Sequence, residues 1–213
     1  MSSASARITV ADYGMGNLRS VVKAFEHVGA VPSVSSDPAE IDSAEALVLP
    51  GVGAFPEAMR EIAARGLADP IARRASAGVP LLGICLGMQL LFESSTEHGG
   101  AAGLGLLEGT VEPVHAPGLK LPHIGWSPVR WERESELTAG IADEEPFYFV
   151  HSLAAAPAPD ELIGSAEHGE RFAAVVGRGN VYGTQFHPEK SSSAGLAMLG
   201  NFAAIAAARA VPC

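Results

Sequence analysis

Cys85 stands between two glycines in Gly83-Ile84-Cys85-Leu86-Gly87, directly after the apolar run Val79-Pro80-Leu81-Leu82. The run is short enough for a buried strand, and Met88, Leu91 and Phe92 follow at helical spacing. The pattern predicts a strand, a sharp turn and a helix, with the cysteine side chain displayed on the turn. Esterases present a serine nucleophile by the same device. Glycine on each side removes the Cβ atoms that would block the turn and the approach of a substrate. A helix N-terminus beneath the sulfur would favour thiolate, the nucleophilic form. Most free cysteines are small buried hydrophobes, and the pentapeptide alone suits either role equally.

A cysteine nucleophile needs a base to carry its proton and a group to orient that base. Of the seven histidines, His187 stands apart because it ends a strand pattern in Gly183-Thr184-Gln185-Phe186-His187-Pro188-Glu189. Pro188 stops the ladder and stiffens the strand end. Glu189, two residues on, is expected to reach the imidazole along the same side of an extended chain. Taken singly, His187 reads as a solvated loop histidine and Glu189 as an exposed carboxylate; with Cys85 they form a nucleophile, base and orienter.

Acyl transfer also needs N–H donors for a tetrahedral oxyanion. The Leu86 amide, next after Cys85, is one candidate. Pro50-Gly51-Val52-Gly53 closes another apolar run, and its glycines let a second backbone amide, that of Val52, come close. A glycine loop can also cradle phosphate, but this one lacks both GxGxxG spacing and a Gly-Lys-Ser/Thr ending.

The elements that must position these groups alternate along the N-terminal half. Arg7 to Asp12 reads as a strand, Tyr13-Gly14-Met15-Gly16 as a turn, and Asn17 as the N-cap of a helix bearing Leu18, Val21, Val22, Phe25 and Val28 on one face. Val31 to Ser35 is a second strand, with a helical turn at Asp37-Pro38. Ala46 to Pro50 is a third strand. Pro56 opens a helix over 57–65 as its first residue, and another helix over 70–77 leads to the cysteine strand. This rhythm means right-handed crossovers and an open, mostly parallel α/β sheet covered on both faces by helices. In such a sheet, sites form at strand C-termini. Beyond Glu97 the pattern turns antiparallel. Two short strands are expected within 103–114, further strands at 123–131, 147–152 and 162–167, and a hairpin of 172–176 with 180–186. A helix over 193–209 closes the chain. Ala154 to Pro159 reads as a surface loop, residues 1–6 as a frayed leader, and residues 1–213 as a single domain.

Composition narrows the function. The chain has 213 residues, 47% of them hydrophobic, so a sizeable core is available. No apolar run approaches the ~20 residues that span a bilayer, so no membrane partner is expected. A net charge of -10 argues against non-specific nucleic-acid binding. The two cysteines, Cys85 and Cys213, do not make a disulfide framework, and a cytoplasmic setting is expected. No histidine, cysteine or carboxylate spacing suits a metal, and no cofactor is expected.

Three segments together, Pro50-Gly51-Val52-Gly53, Gly83-Ile84-Cys85-Leu86-Gly87-Met88-Gln89 and Gln185-Phe186-His187-Pro188-Glu189, resemble the signatures of class I, triad-type glutamine amidotransferases, in the family's order. Within that family the chain is similar to the glutaminase subunits of imidazole glycerol phosphate synthases. Asp12-Tyr13-Gly14-Met15-Gly16-Asn17, Pro122-His123-Ile124-Gly125-Trp126, Tyr148-Phe149-Val150-His151-Ser152 and Lys190-Ser191 carry this closer likeness, which runs from about Ile8 to Phe202.

The resemblance implies a Cys85–His187–Glu189 triad that hydrolyses L-glutamine to glutamate through a glutamyl thioester. It implies an oxyanion hole from the Val52 and Leu86 amides, and glutamine held by Gly51, Gly53, Gln89, Glu97 and Ser152. It also implies a heterodimer with a (β/α)8-barrel cyclase subunit. Ammonia passes there to a ribonucleotide intermediate, giving imidazole glycerol phosphate and an aminoimidazole carboxamide ribonucleotide in histidine biosynthesis. The Val52 amide is expected to be misaligned until the loaded partner docks.

Two positions depart from the family pattern. Leu153 follows His151-Ser152 where tyrosine is common, and Ser127 follows Gly125-Trp126 where asparagine is common. His123 and His151 are expected to be structural or partner-facing, and Trp126 and Trp131 to be core or interface anchors. Rival readings are the glutaminase of pyridoxal phosphate synthesis, which carries a PGGES-like loop, a stand-alone γ-glutamyl hydrolase, and a catalytically silent regulator.

Overall fold

The structure, a computed structural model, describes residues 5–210. In chain order, the first half comprises β1 (Arg7–Ala11), α1 (Leu18–His27), β2 (Val31–Ser35), α2 (Pro38–Asp42), β3 (Leu47–Gly51), α3 (Phe55–Ala64), α4 (Ala68–Ser76), β4 (Leu81–Cys85) and α5 (Leu86–Gln89). The second half comprises β5 (Ser94–Ser95), β6 (Ala101–Ala102), β7 (Gly109–Pro113), β8 (His123–Trp131), β9 (Glu145–His151), β10 (Leu153–Pro157), β11 (Leu162–His168), β12 (Glu170–Arg178), β13 (Val181–Thr184) and α6 (Ser192–Ala210).

Nine strands form one sheet in the order β2-β1-β3-β4-β13-β12-β11-β8-β9. From β2 to β13 every pairing is parallel, and from β13 to β9 every pairing is antiparallel. A second sheet, β10-β7-β5-β6, is built from short strands. The parallel strands are apolar at successive positions because both their faces are covered. Val48 and Leu82 belong to one hydrophobic cluster, with α1 and α6; Leu47, Leu49 and Leu81 belong to the other, with Phe55 and Ile62 of α3 and Ile71 of α4. This is the expected α/β layering with an added antiparallel section.

Several local expectations are corrected. The helix after Cys85 is a single turn: Leu90 N–H bonds Leu86 O, but Leu91 and Phe92 bond Met88 and Gln89, tightening the chain out of helix. Leu91 and Phe92 are buried as part of that turn, so their helical spacing reflected burial and not helix length. Asn17 occupies the N-cap of α1 without a side-chain cap bond, whereas Asp37 caps α2 through Ala39 N–H. Pro56 is the second residue of α3, not the first. Within 103–114 only β7 forms; β6 lies just before, and both pair with β5.

Ala154 to Pro159, expected as a loop, contributes β10, paired antiparallel with β7 and burying Ala155 beside Val111. Alanine has little strand preference of its own, and cross-strand pairing decides here. Residues 1–4 of the expected leader lie outside the described residues, as does Cys213. Ala6, also assigned to the leader, is buried and its carbonyl accepts from Val31 N–H.

An aromatic cluster supports the far side of the sheet end. Phe186 stacks on Phe147 at 4.1 Å between centroids and meets Phe149 edge-on at 5.5 Å. It is fully buried between Gln185 and His187 in sequence. Phe186→Ala is expected to lower unfolding free energy by ~3–5 kcal/mol in chemical denaturation, the range for emptying a buried aromatic site. A loss below ~1 kcal/mol would remove this cluster from its anchoring role.

Candidate active site

The site lies where β3, β4 and β13 end side by side. In register, Gly51 of β3 faces Cys85 of β4, and Thr184 of β13 faces Ile84 on the other flank. The chain beyond β13 therefore carries His187 past the same edge that holds the sulfur.

Cys85 adopts φ 54° and ψ -111°, a conformation uncommon for a residue with a Cβ. The expected sharp turn is present, but the cysteine is buried, at 6% exposure, and not displayed as expected. A Cβ on Gly83 would come within 2.6 Å of Gly87 O, and one on Gly87 would run into Leu49 O. Tyr13 supports the neighbouring loop: its hydroxyl donates to Pro50 O at 2.6 Å, and it fills the space a Gly51 side chain would need. Burial first, then the nearby Cys85 sulfur, pushes the Tyr13 phenol far above its ordinary range, so it remains a neutral donor.

His187 is positioned by backbone on both sides. Its N–H donates to Tyr148 O of β9 at 3.0 Å, and its carbonyl accepts from Ser191 Oγ at 2.7 Å. Ser191 Oγ in turn accepts from Tyr148 N–H, closing the clamp. Glu189 reaches His187 Nδ1 at 2.9 Å, but not along an extended chain: Pro188–Lys190 is a 3-10 turn that folds the carboxylate back. The two side chains are only 3% and 1% exposed. His187 Nε2 is buried without a hydrogen-bond partner, leaving it as the atom available for chemistry. Burial alone pulls this imidazole down; the Cys85 sulfur and the Glu189 carboxylate outweigh it and push the pKa up to about 9. At neutral pH the ring is therefore an imidazolium facing a sulfur, with its second nitrogen held by the carboxylate.

The other expected residues distribute unevenly. Leu86 begins α5 immediately after the sulfur. The Val52 N–H instead donates to Met15 O at 3.2 Å, so it is committed to a backbone carbonyl. Gly53, at φ +117°, lies on the same exposed loop. Gln89 is buried; its Nε2 donates to Leu153 O at 3.1 Å and Gln185 Oε1 at 3.0 Å, leaving its own Oε1 to meet any ligand. Glu97 is brought to the start of α3, where Oε2 accepts from Phe55 N–H at 2.6 Å. Ser152 joins β9 to β10, and its carbonyl accepts from Val114 N–H.

Sequence reasoning did not single out Gln185. It is fully buried, and its Nε2 reaches Cys85 Sγ at 3.8 Å. A polar residue directly after β13, two before the histidine, was the available signal. His123 and His151 were expected to be structural or interfacial. They are buried and bonded to each other, Nδ1 to Nε2, at 3.1 Å.

Comparison with known proteins shows the chain's kinship. The glutamine amidotransferase class-I family profile matches residues 9–206. The imidazole glycerol phosphate synthase subunit HisH of Moorella thermoacetica is 50% identical over 196 residues, covering 92% of this chain and 93% of that protein. The HisH subunit of Geobacillus kaustophilus is 47% identical over 210 residues, covering 95% and 98%. Among solved structures, PurLQS of Thermotoga maritima aligns with a TM-score of 0.73 at 23% identity, covering 93% of this chain and 97% of that one. A putative GMP synthase protein of Thermoplasma acidophilum aligns with a TM-score of 0.71 at 21% identity, covering 96% and 95%. The structural likeness carries the fold, and the match over nearly the whole length carries the kinship: the chain belongs to the class I glutamine amidotransferase family.

Proposed function

We propose that this chain is the glutaminase subunit of an imidazole glycerol phosphate synthase, supplying ammonia to a cyclase subunit for histidine biosynthesis. The observation that carries the chemistry is the buried Cys85–His187–Glu189 alignment at the sheet edge, with Nε2 of His187 unpartnered. The relatives, near half-identical over almost their full length, carry the choice of acceptor system. A cytoplasmic setting goes with this reading; no helix among the described residues is long and apolar enough to cross a membrane.

With its proton held on His187 Nε2, Cys85 Sγ attacks the side-chain amide carbon of glutamine, and the carbonyl oxygen takes the negative charge. Leu86 N–H is positioned as one donor to it, and Val52 N–H as the second once released from Met15 O. The His187 imidazolium gives its Nε2 proton to the departing nitrogen, and ammonia leaves. The neutral imidazole then takes a proton from water, which attacks the thioester and yields glutamate. Glu189 holds Nδ1 throughout. Gln89 Oε1, Glu97, Gly51, Gly53 and Ser152 are assigned to the amino-acid end of glutamine.

The Val52–Met15 bond supports a subunit that works poorly alone, because one oxyanion donor is occupied. Ile124 and Trp126, exposed at 61% and 51% on the outward face of β8, offer an apolar docking surface. The Trp126 ring lies 6.0 Å from that of Tyr148, whose backbone clamps His187.

Glutamate release measured on the purified chain is expected to rise at least ~100-fold when the cyclase and its ribonucleotide ligand are added, the scale of one oxyanion donor. Cys85→Ala is expected to abolish it while the complex still uses free ammonia. High activity without partner would point to an independent hydrolase.

The pH profile tests the triad separately. A raised histidine pKa means the imidazolium form is favoured by folding. That stabilisation is complete below about 6.5 and is lost as pH climbs through about 9. In catalysis, kcat/KM for glutamine in the complex is expected to fall above about pH 9 as His187 loses its proton. Glu189→Gln removes one of the two groups raising that pKa, and the alkaline limb should move to lower pH. An unmoved limb would separate Glu189 from the titrating imidazole.

A further inference from the structure

The Leu153 carbonyl fixes the direction of a buried hydrogen-bond network. A carbonyl can only accept. Two side chains reach this one, Gln89 Nε2 at 3.1 Å and His151 Nδ1 at 2.8 Å, so both atoms carry hydrogen.

Directions then propagate both ways. Gln89 also donates from Nε2 to Gln185 Oε1 at 3.0 Å, which turns the Gln185 nitrogen the other way, to Cys85 Sγ at 3.8 Å. On the other arm, His151 has its proton on Nδ1, so Nε2 is bare and accepts from His123 Nδ1–H at 3.1 Å. His123 Nε2 is then bare and accepts from Ser127 Oγ–H at 3.0 Å. Burial, foremost, pushes both imidazoles down to about 4, so both are neutral at pH 7 and the tautomers hold. Gln89, Gln185, His123 and His151 are all buried, so water does not compete for these bonds.

We propose that Gln185 is a catalytic residue whose Nε2–H hydrogen bonds the Cys85 sulfur and favours its thiolate, and that His151 is a positioning residue holding the Leu153 carbonyl that orients this amide. The inference rests on the glutaminase reading and deepens it. Orientation matters because Cys85 Sγ already lies 3.8 Å from Val150 O. That carbonyl suits a thiol, which can donate to it, and disfavours a thiolate. A reversed Gln185 amide would set a second oxygen against the sulfur. Reversal would also break the Gln89 bond and face nitrogen with nitrogen. The resulting N–H stabilises charge on sulfur independently of His187, and Leu153 serves through its backbone alone.

The test is the pH dependence of iodoacetamide alkylation of Cys85 in the assembled complex, read by mass spectrometry of its peptide. Thiolate is the reacting form, so the profile reports the thiol directly. Gln185→Leu is expected to slow alkylation ~10-fold at pH 7 and move the midpoint up by about one pH unit, the weight of one hydrogen bond to a charged group. Gln185→Glu, which sets an anion against the sulfur, should move it further. His151→Leu should move it in the same direction by less. Co-elution of each variant with the cyclase in gel filtration reports that the variant has folded and docked. Alkylation profiles that overlay the parent would overturn the proposal even if glutamine turnover fell, because only packing would have been lost. A parent complex that alkylates normally yet never hydrolyses glutamine would instead sink the glutaminase reading itself.

Discussion

The site depends on one steric constraint, the close passage of β3, β4 and the turn after Cys85. With φ 54° at a residue bearing a Cβ, the backbone holds a conformation that costs about 1–3 kcal/mol. It persists because the surrounding structure leaves no alternative. Gly87 packs against Leu49 O, Gly83 against Gly87 O, and Gly51 against Tyr13 and Leu86. Each contact is backbone or a buried side chain, so none can yield as a flexible surface group would. Fully buried Leu47, Val48, Leu49, Leu81 and Leu82 hold the strands at that spacing. Their burial, at ~1.5–3 kcal/mol for each large side chain, outweighs the strain. The strained turn that holds the buried Cys85 at the strand ends is thus a consequence of core packing.

On the glutaminase reading the loop after β3 must take two arrangements, with the Val52 N–H on Met15 O or turned toward the oxyanion. The Val52 N–H belongs to the Gly51–Val52 peptide, and the absence of a Cβ on Gly51 is what leaves that peptide room to turn. At rest its N–H is satisfied by Met15 O. Giving up one such bond costs about 0.5–1.5 kcal/mol net, enough to bias the loop several-fold but not to lock it. A partner need supply only a modest differential contact to reverse that bias. Reciprocity follows: a cyclase ligand that favours the turned loop must itself bind more tightly when glutamine occupies the site.

How much of this could be read from the chain depends on what each residue's role requires locally. The elbow was legible because it demands glycines at fixed positions, and His187 was legible because Pro188 follows it, although the strand ends earlier, at Thr184, and not at the histidine as expected. The parallel half of the sheet was legible from short apolar runs separated by amphipathic helices. The extent of the helix after Cys85 was not, since Leu91 and Phe92 are buried by long-range packing that mimics helical spacing. Strand β10 was hidden because its alanines carry no strand signal and rely on β7 for pairing. The 3-10 turn that returns Glu189 to His187 left no periodicity in three residues. Gln185, Gln89, His151 and His123 form a chain only through α5, β8, β9 and the segment after β13, which meet in space and not in sequence.

That buried chain also explains how a polar interior coexists with a rigid sheet edge. An unpaired polar group in such a place costs ~1–3 kcal/mol, so these four side chains are acceptable only when their bonds are complete. Completeness requires a single direction for every amide and every imidazole, and the Leu153 carbonyl imposes it on both arms. His187 and Glu189 obey the opposite rule: Nε2 and Glu189 Oε2 are buried and unpartnered. The contrast separates the two kinds of polar group at the site. Gln89 Nε2, Gln185 Oε1, and the ring nitrogens of His123 and His151 all have partners within the protein. On the glutaminase reading His187 keeps its reacting atom free, and its desolvation is offset by the sulfur on one side and the carboxylate on the other.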